Sequence, residues 1–105
     1  MEKYAWVAKL KPGMKEEYIK RHDNIWPEMV KLLKEAGIAN YSIWLNGETI
    51  FGYYECQKGV DFATSTQDKS PIVDKWNEYM KDVMDMVMDP ITHAQPHLEQ
   101  VFDLE

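Results

Sequence analysis

The 105-residue chain predicts an α+β domain built on one antiparallel sheet. Three observations predict it. Two apolar, aromatic runs flank Asn46-Gly47, the strongest short hairpin signal available. Segments with strand and helix character follow one another in the order β, broken α, β, β, α, β. Pro27 and Pro71 each stand where a helix would open. Such an element order is the split βαβ, ferredoxin-like order, over residues 1–105 as a single domain.

The elements follow in turn. Residues 3–10, KYAWVAKL, mix aromatic and β-branched residues without helical period, and KPG supplies a turn. Residues 14–23 read as a helix. Pro27 disfavours helical geometry at Trp26, which places a break at residues 24–26. PEMVKLLKEAG reads as the next helix, with Gly37 suited to the position just past its end. ANYSIWLNGETIFGYYEC is the hairpin, and residues 59–67 are weakly helical at best. Ser70-Pro71 caps and opens PIVDKWNEYMKDVMDM. Asp89-Pro90 ends that helix or follows its end, ITHAQPH is irregular, and LEQVFDLE alternates as a last strand.

Residues of both parities are apolar in the strands. Tyr4, Trp6 and Ala8 alternate with Ala5 and Val7, while Ile50, Tyr54 and Cys56 face away from Phe51 and Tyr53. A sheet apolar on both faces needs two covers, and the helices of so short a chain supply one. A homodimer is therefore expected, with two sheets packed face to face into a dimeric α/β barrel.

Bulk chemistry narrows the function. The net charge of −6 gives no basic face for a nucleic acid or an anionic membrane. The one cysteine, Cys56, lies in an apolar run and fits a reducing cytoplasm. No stretch reaches the ~18 apolar residues of a membrane span. A soluble cytoplasmic protein is expected.

Tyr18 and His22 are i, i+4 neighbours on one helical face. In a helix ending near residue 24, His22 sits in the last turn, where the macrodipole favours the protonated ring. Histidine also suits proton transfer near neutral pH. The same spacing describes an ordinary packing stripe, so both roles stand open. Trp26 shares the spacing but follows the break, and reads as packing at the helix junction. Tyr41 and Trp76 are amphipathic aromatics suited to stacking on a sugar, or to a core. His93 and His97 are four apart, but Pro96 argues against the continuous helix that a metal pair would need. Met80, Met84 and Met88 read as a core row, and Asp85 and Asp89 as solvent-facing.

EYIKRHDNIWPEM, NYSIWL, KWNEYMKDVM and LEQVFDL together carry a resemblance running nearly end to end. The chain resembles the L-rhamnose mutarotases. The resemblance implies a ferredoxin-like fold, a homodimer, no metal or organic cofactor, and interconversion of the α and β anomers of L-rhamnose. It implies His22 as proton donor, and Tyr18, Tyr41 and Trp76 as substrate-binding residues. The family often carries a second tryptophan after Trp76. Asn77 stands there in this chain, which keeps a related deoxyhexose such as L-fucose as an alternative substrate.

The chemistry asks for what these residues offer. Anomerisation opens a hemiacetal ring and recloses it on the other face. An acid protonates the ring oxygen while a base takes the anomeric proton, and the roles then reverse. His22 is expected as the acid, with the base open. Two other readings stand beside this one. One is a dimeric ferredoxin-like monooxygenase with His22 as an axial haem ligand. The other is a non-catalytic metabolite-binding module.

Overall fold

The computed structural model describes residues 1–85 and 98–104. Its elements are β1 (Glu2–Leu10), α1 (Lys15–Asp23), α2 (Pro27–Glu35), β2 (Ile38–Asn46), β3 (Thr49–Cys56), α3 (Val60–Asp68), α4 (Pro71–Met80) and β4 (Met84–Asp85). The strands form one antiparallel sheet in the order β2-β3-β1-β4. This is the expected α+β, ferredoxin-like arrangement.

Alternation along β1 and β3 sorts the side chains by face. Trp6, Ala8 and Leu10 of β1, with Ile50, Tyr54 and Cys56 of β3, are buried against Tyr18, Met29, Ala36, Ala63, Trp76 and Met80 of the helices and their caps. The opposite face carries Ala5, Val7, Phe51 and Tyr53, all only part-buried. Burial also pushes the Cys56 thiol pKa up, which suits a packing role.

The helix break falls where Pro27 requires it. Trp26 is extended (φ −62°, ψ 136°) and Pro27 takes the first position of α2. The hairpin differs from expectation by one residue. Asn46 pairs with Thr49, so the loop is Gly47-Glu48, and Gly47 alone takes positive φ, +61°. That is the pattern of a turn with glycine at its first central position. Gly52 answers a different need: a Cβ there would land inside the Trp6 indole, which packs over that position.

Three further departures have physical causes. Residues 60–68 form a full helix, α3. Its first amide, Val60 N, is capped by the Glu2 carboxylate at 3.1 Å. That cap is distant in sequence, so local propensity does not report it. α4 stops at Met80 rather than continuing to residue 86. Val83, fully buried, turns the chain back, and its carbonyl accepts from Lys11 N at 3.0 Å. Met84 and Asp85 then pair with Leu10 and Lys9 as the fourth strand. The tail expected as a last strand is not one over residues 98–104, although Leu98 N donates to Ala5 O at 2.7 Å. Met88, Asp89-Pro90 and ITHAQPH, including His93 and His97, lie outside the described residues.

Candidate active site

The two elements after β1 and the helix before β4 bring the site together. α1 presents Tyr18 and His22 one turn apart, with their rings 4.3 Å apart between centroids. α4 presents Trp76, whose ring meets His22 edge-on at 5.5 Å. Trp26, at the start of α2, meets Trp76 edge-on at 5.1 Å, and Tyr79 packs on both indoles. Trp26 thus packs at the helix junction, as expected, and there also braces Trp76.

Tyr41 arrives from the sheet by a local irregularity. Ala39 pairs with Glu55 and Ser42 with Tyr53, so Asn40 and Tyr41 together oppose Tyr54. This is a bulge, with Asn40 in the left-handed region at φ +50°. The extra residue reverses the alternation that follows it. Ile43 and Leu45 join the helix-covered face, opposite Gly52 and Ile50, while Trp44 turns outward opposite Phe51. Tyr41 packs its ring 5.0 Å from that of Tyr54, which stacks in turn on Tyr4. The residue as a whole keeps 38% exposure. Its hydroxyl end, however, is desolvated and lies within the electrostatic influence of the Trp6 indole N–H, Tyr18 and Tyr4. His22, Tyr18 and Trp76 are therefore in ring contact, and Tyr41 lies within electrostatic reach of Tyr18.

The electrostatics separate their chemistry. Burial raises the pKa of Tyr18, and Tyr18 Oη has no hydrogen-bond partner among the described residues. Burial likewise raises Tyr41, only partly offset by the Trp6 N–H, and it raises Tyr54. These phenols stay protonated at neutral pH and act as donors. His22 moves against the expectation drawn from its helix-end position. Burial lowers its pKa, outweighing the Tyr18 carbonyl and Asp23, which favour the charged ring. The helix end does supply that carbonyl: His22 Nδ1 lies 3.1 Å from Tyr18 O. A carbonyl only accepts, so Nδ1 carries the hydrogen and Nε2 is left with its lone pair in the neutral ring.

Among the described residues, no group of three His, Cys, Asp or Glu is placed to hold a metal ion. Nor is any helix there long and apolar enough to cross a membrane. A cleft of about 250 Å³ lies elsewhere, where Tyr4 and Tyr53 face Leu98 and Phe102 of the tail; it contains none of His22, Tyr18, Tyr41 or Trp76.

Comparison with known proteins agrees with the fold. The family model described as L-rhamnose mutarotase matches residues 3–104. The L-rhamnose mutarotase of Sinorhizobium fredii is 45% identical over 104 residues, 99% of each chain. That of Mesorhizobium japonicum is 43% identical over 103 residues, 98% of this chain and 97% of its own. A crystal structure of the L-rhamnose mutarotase from Formosa agariphila superposes with a TM-score of 0.79 at 33% identity, covering all of both chains. With fold and sequence in agreement over essentially its full length, the chain belongs to the L-rhamnose mutarotase family.

Proposed function

We propose that this protein is an isomerase interconverting the α and β anomers of L-rhamnose, with His22 as the group that protonates the ring oxygen. The observation that carries the mechanism is the His22 imidazole. It is held by Nδ1 to the Tyr18 carbonyl, set between the Tyr18 and Trp76 rings, and leaves Nε2 for the substrate.

The base follows from the same electrostatics. The neighbouring phenols are held protonated, and the lowered His22 pKa leaves its ring neutral near pH 7. The anomeric hydroxyl and the ring oxygen share one carbon, so one nitrogen reaches both. Nε2 takes the proton of the anomeric hydroxyl as the C1=O double bond forms. It delivers that proton to the ring oxygen as the C1–O5 bond breaks. Rotation about C1–C2 presents the other carbonyl face, and the steps run in reverse to the other anomer. Atoms and charge balance with no co-reactant. Tyr18 and Tyr41 donate hydrogen bonds to sugar hydroxyls, and Trp76 stacks on the ring's C–H face.

The outer sheet face supports the working unit being a homodimer, because Val7, Phe51 and Trp44 align across three strands and Trp44 is 67% exposed. A cytoplasmic location fits the buried, unpaired Cys56. The test is anomer exchange of L-rhamnose by saturation-transfer NMR, with L-fucose alongside because Asn77 is exposed next to Trp76. Acceleration of L-rhamnose exchange is expected. No acceleration for either sugar would remove the assignment.

A further inference from the structure

His22 and Trp76 stand on different helices, so something must set the gap between them. Beside His22 on α1, Arg21 reaches across to the end of α4. Its Nη1 donates to the Tyr79 carbonyl and to Asp82 Oδ1, both at 2.7 Å, and Nη2 donates to Asp82 Oδ2 at 3.2 Å. Nε donates to Glu17 Oε1 at 3.2 Å, one turn back on α1. The guanidinium carbon lies 4.5 Å from the Tyr79 ring centroid. Only 12% of the Arg21 side chain is exposed.

The sequence of α4 explains why this arrangement has consequences. The last carbonyls of a helix lack partners within it, and a cation nearby is the usual remedy. α4 has no basic residue in its last turn. Arg21 supplies both the donor and the charge from a neighbouring helix. The group it holds is part of the site wall: Tyr79 packs 5.6 Å from Trp76 and 5.2 Å from Trp26. A planar fork that bonds a carboxylate on two atoms and also a carbonyl fixes direction as well as distance, which a lysine ammonium does not.

We propose that Arg21 is a positioning residue for sugar turnover, setting the His22–Trp76 separation through Tyr79 and Asp82 without itself touching the sugar. The proposal rests on the mutarotase assignment above. Small misplacements near a reacting centre cost up to about 100-fold, so effects of that order are expected without loss of fold.

The experiment compares wild type, Arg21→Lys and Asp82→Asn. Each is measured for L-rhamnose anomer exchange per folded molecule, for melting temperature, and for the His22 ring proton resonances, which feel the Trp76 ring current. Arg21→Lys is expected to lower kcat/KM about 10- to 100-fold. It should shift the His22 resonances and leave the pH midpoint of the remaining activity in place. Asp82→Asn keeps the acceptor oxygen but loses the charge, and should show the same shifts to a smaller degree. If either variant melts lower yet turns over like wild type with unmoved resonances, Arg21 is a structural tie only and the proposal fails. Wild-type protein that accelerates no exchange would instead overturn the mutarotase assignment. The His22 resonances would still report whether Arg21 sets the geometry.

Discussion

At His22 two local fields oppose each other. The backbone carbonyl at the end of α1 favours the cation, and burial among aromatic rings favours the neutral form; burial prevails. The working form proposed above is neutral, so the sign of the pH dependence follows. A group with a lowered pKa loses its proton below the ordinary histidine value of 6.5. The background-corrected exchange rate should therefore rise through a midpoint below 6.5 and stay level above it. A rate that fell with rising pH across that range would make the imidazolium the working species. His22→Ala should lower the rate by about 10²–10⁴-fold in the same NMR measurement. Tyr18 offers a contrast. Its hydroxyl is desolvated without a partner among the described residues, so Tyr18→Phe removes no hydrogen bond seen there. The melting temperature should hold or rise, while sugar binding weakens by about 0.5–1.5 kcal/mol, read as a higher KM. The Tyr18/His22 pair was legible as an i, i+4 step. Arg21, Tyr79, Trp6 and the bracing role of Trp26 were not, because each depends on contacts between elements far apart in the chain.

Single elements carry the site by their irregularities as much as by their regular parts. The bulge at Asn40 is what aims Tyr41, since an unbroken strand would have put Tyr41 on the face that Trp44 now occupies. The left-handed conformation of Asn40 suits asparagine and glycine, and is costly for a β-branched side chain. Asn40→Gly should keep exchange activity. Asn40→Val should lose it along with about 1–2 kcal/mol of stability, measured by urea denaturation. Element boundaries marked by proline were readable in advance at Pro27 and Pro71. The same holds for the alternation that sorts β1 and β3 by face. Local propensity understates α3, weakly helical at best in the sequence, because its capping carboxylate, Glu2, lies 58 residues away. The fourth strand falls at Met84–Asp85 and not in the tail, because Val83 brings the chain back to the edge of β1.

For the whole molecule, the decisive surface is the sheet face the helices leave uncovered. Val7, Phe51 and Trp44 form a row across it, with Lys3 and Glu55 toward one end and Lys9 and Thr49 toward the other. A protein sealed by a second copy through this row should sediment at twice the mass of the 12.4 kDa chain. Its melting temperature should rise with protein concentration. Trp44→Glu places a charge in the middle of the row and should yield a monomer in the ultracentrifuge. A wild-type monomer at every concentration would exclude the dimer.

The meeting of Trp26 and Trp76 at 5.1 Å and 90° has an optical consequence. Two indoles this close are near enough to couple their excited states, and coupled transitions of skewed rings give a signed doublet in circular dichroism whose size follows their mutual setting. The doublet exists only while α2 and α4 hold their mutual pose. It would therefore vanish on loss of tertiary packing even if helix content survived. If the sugar settles against Trp76 as proposed, the amplitude should change, and the doublet would report binding without a dye or a label.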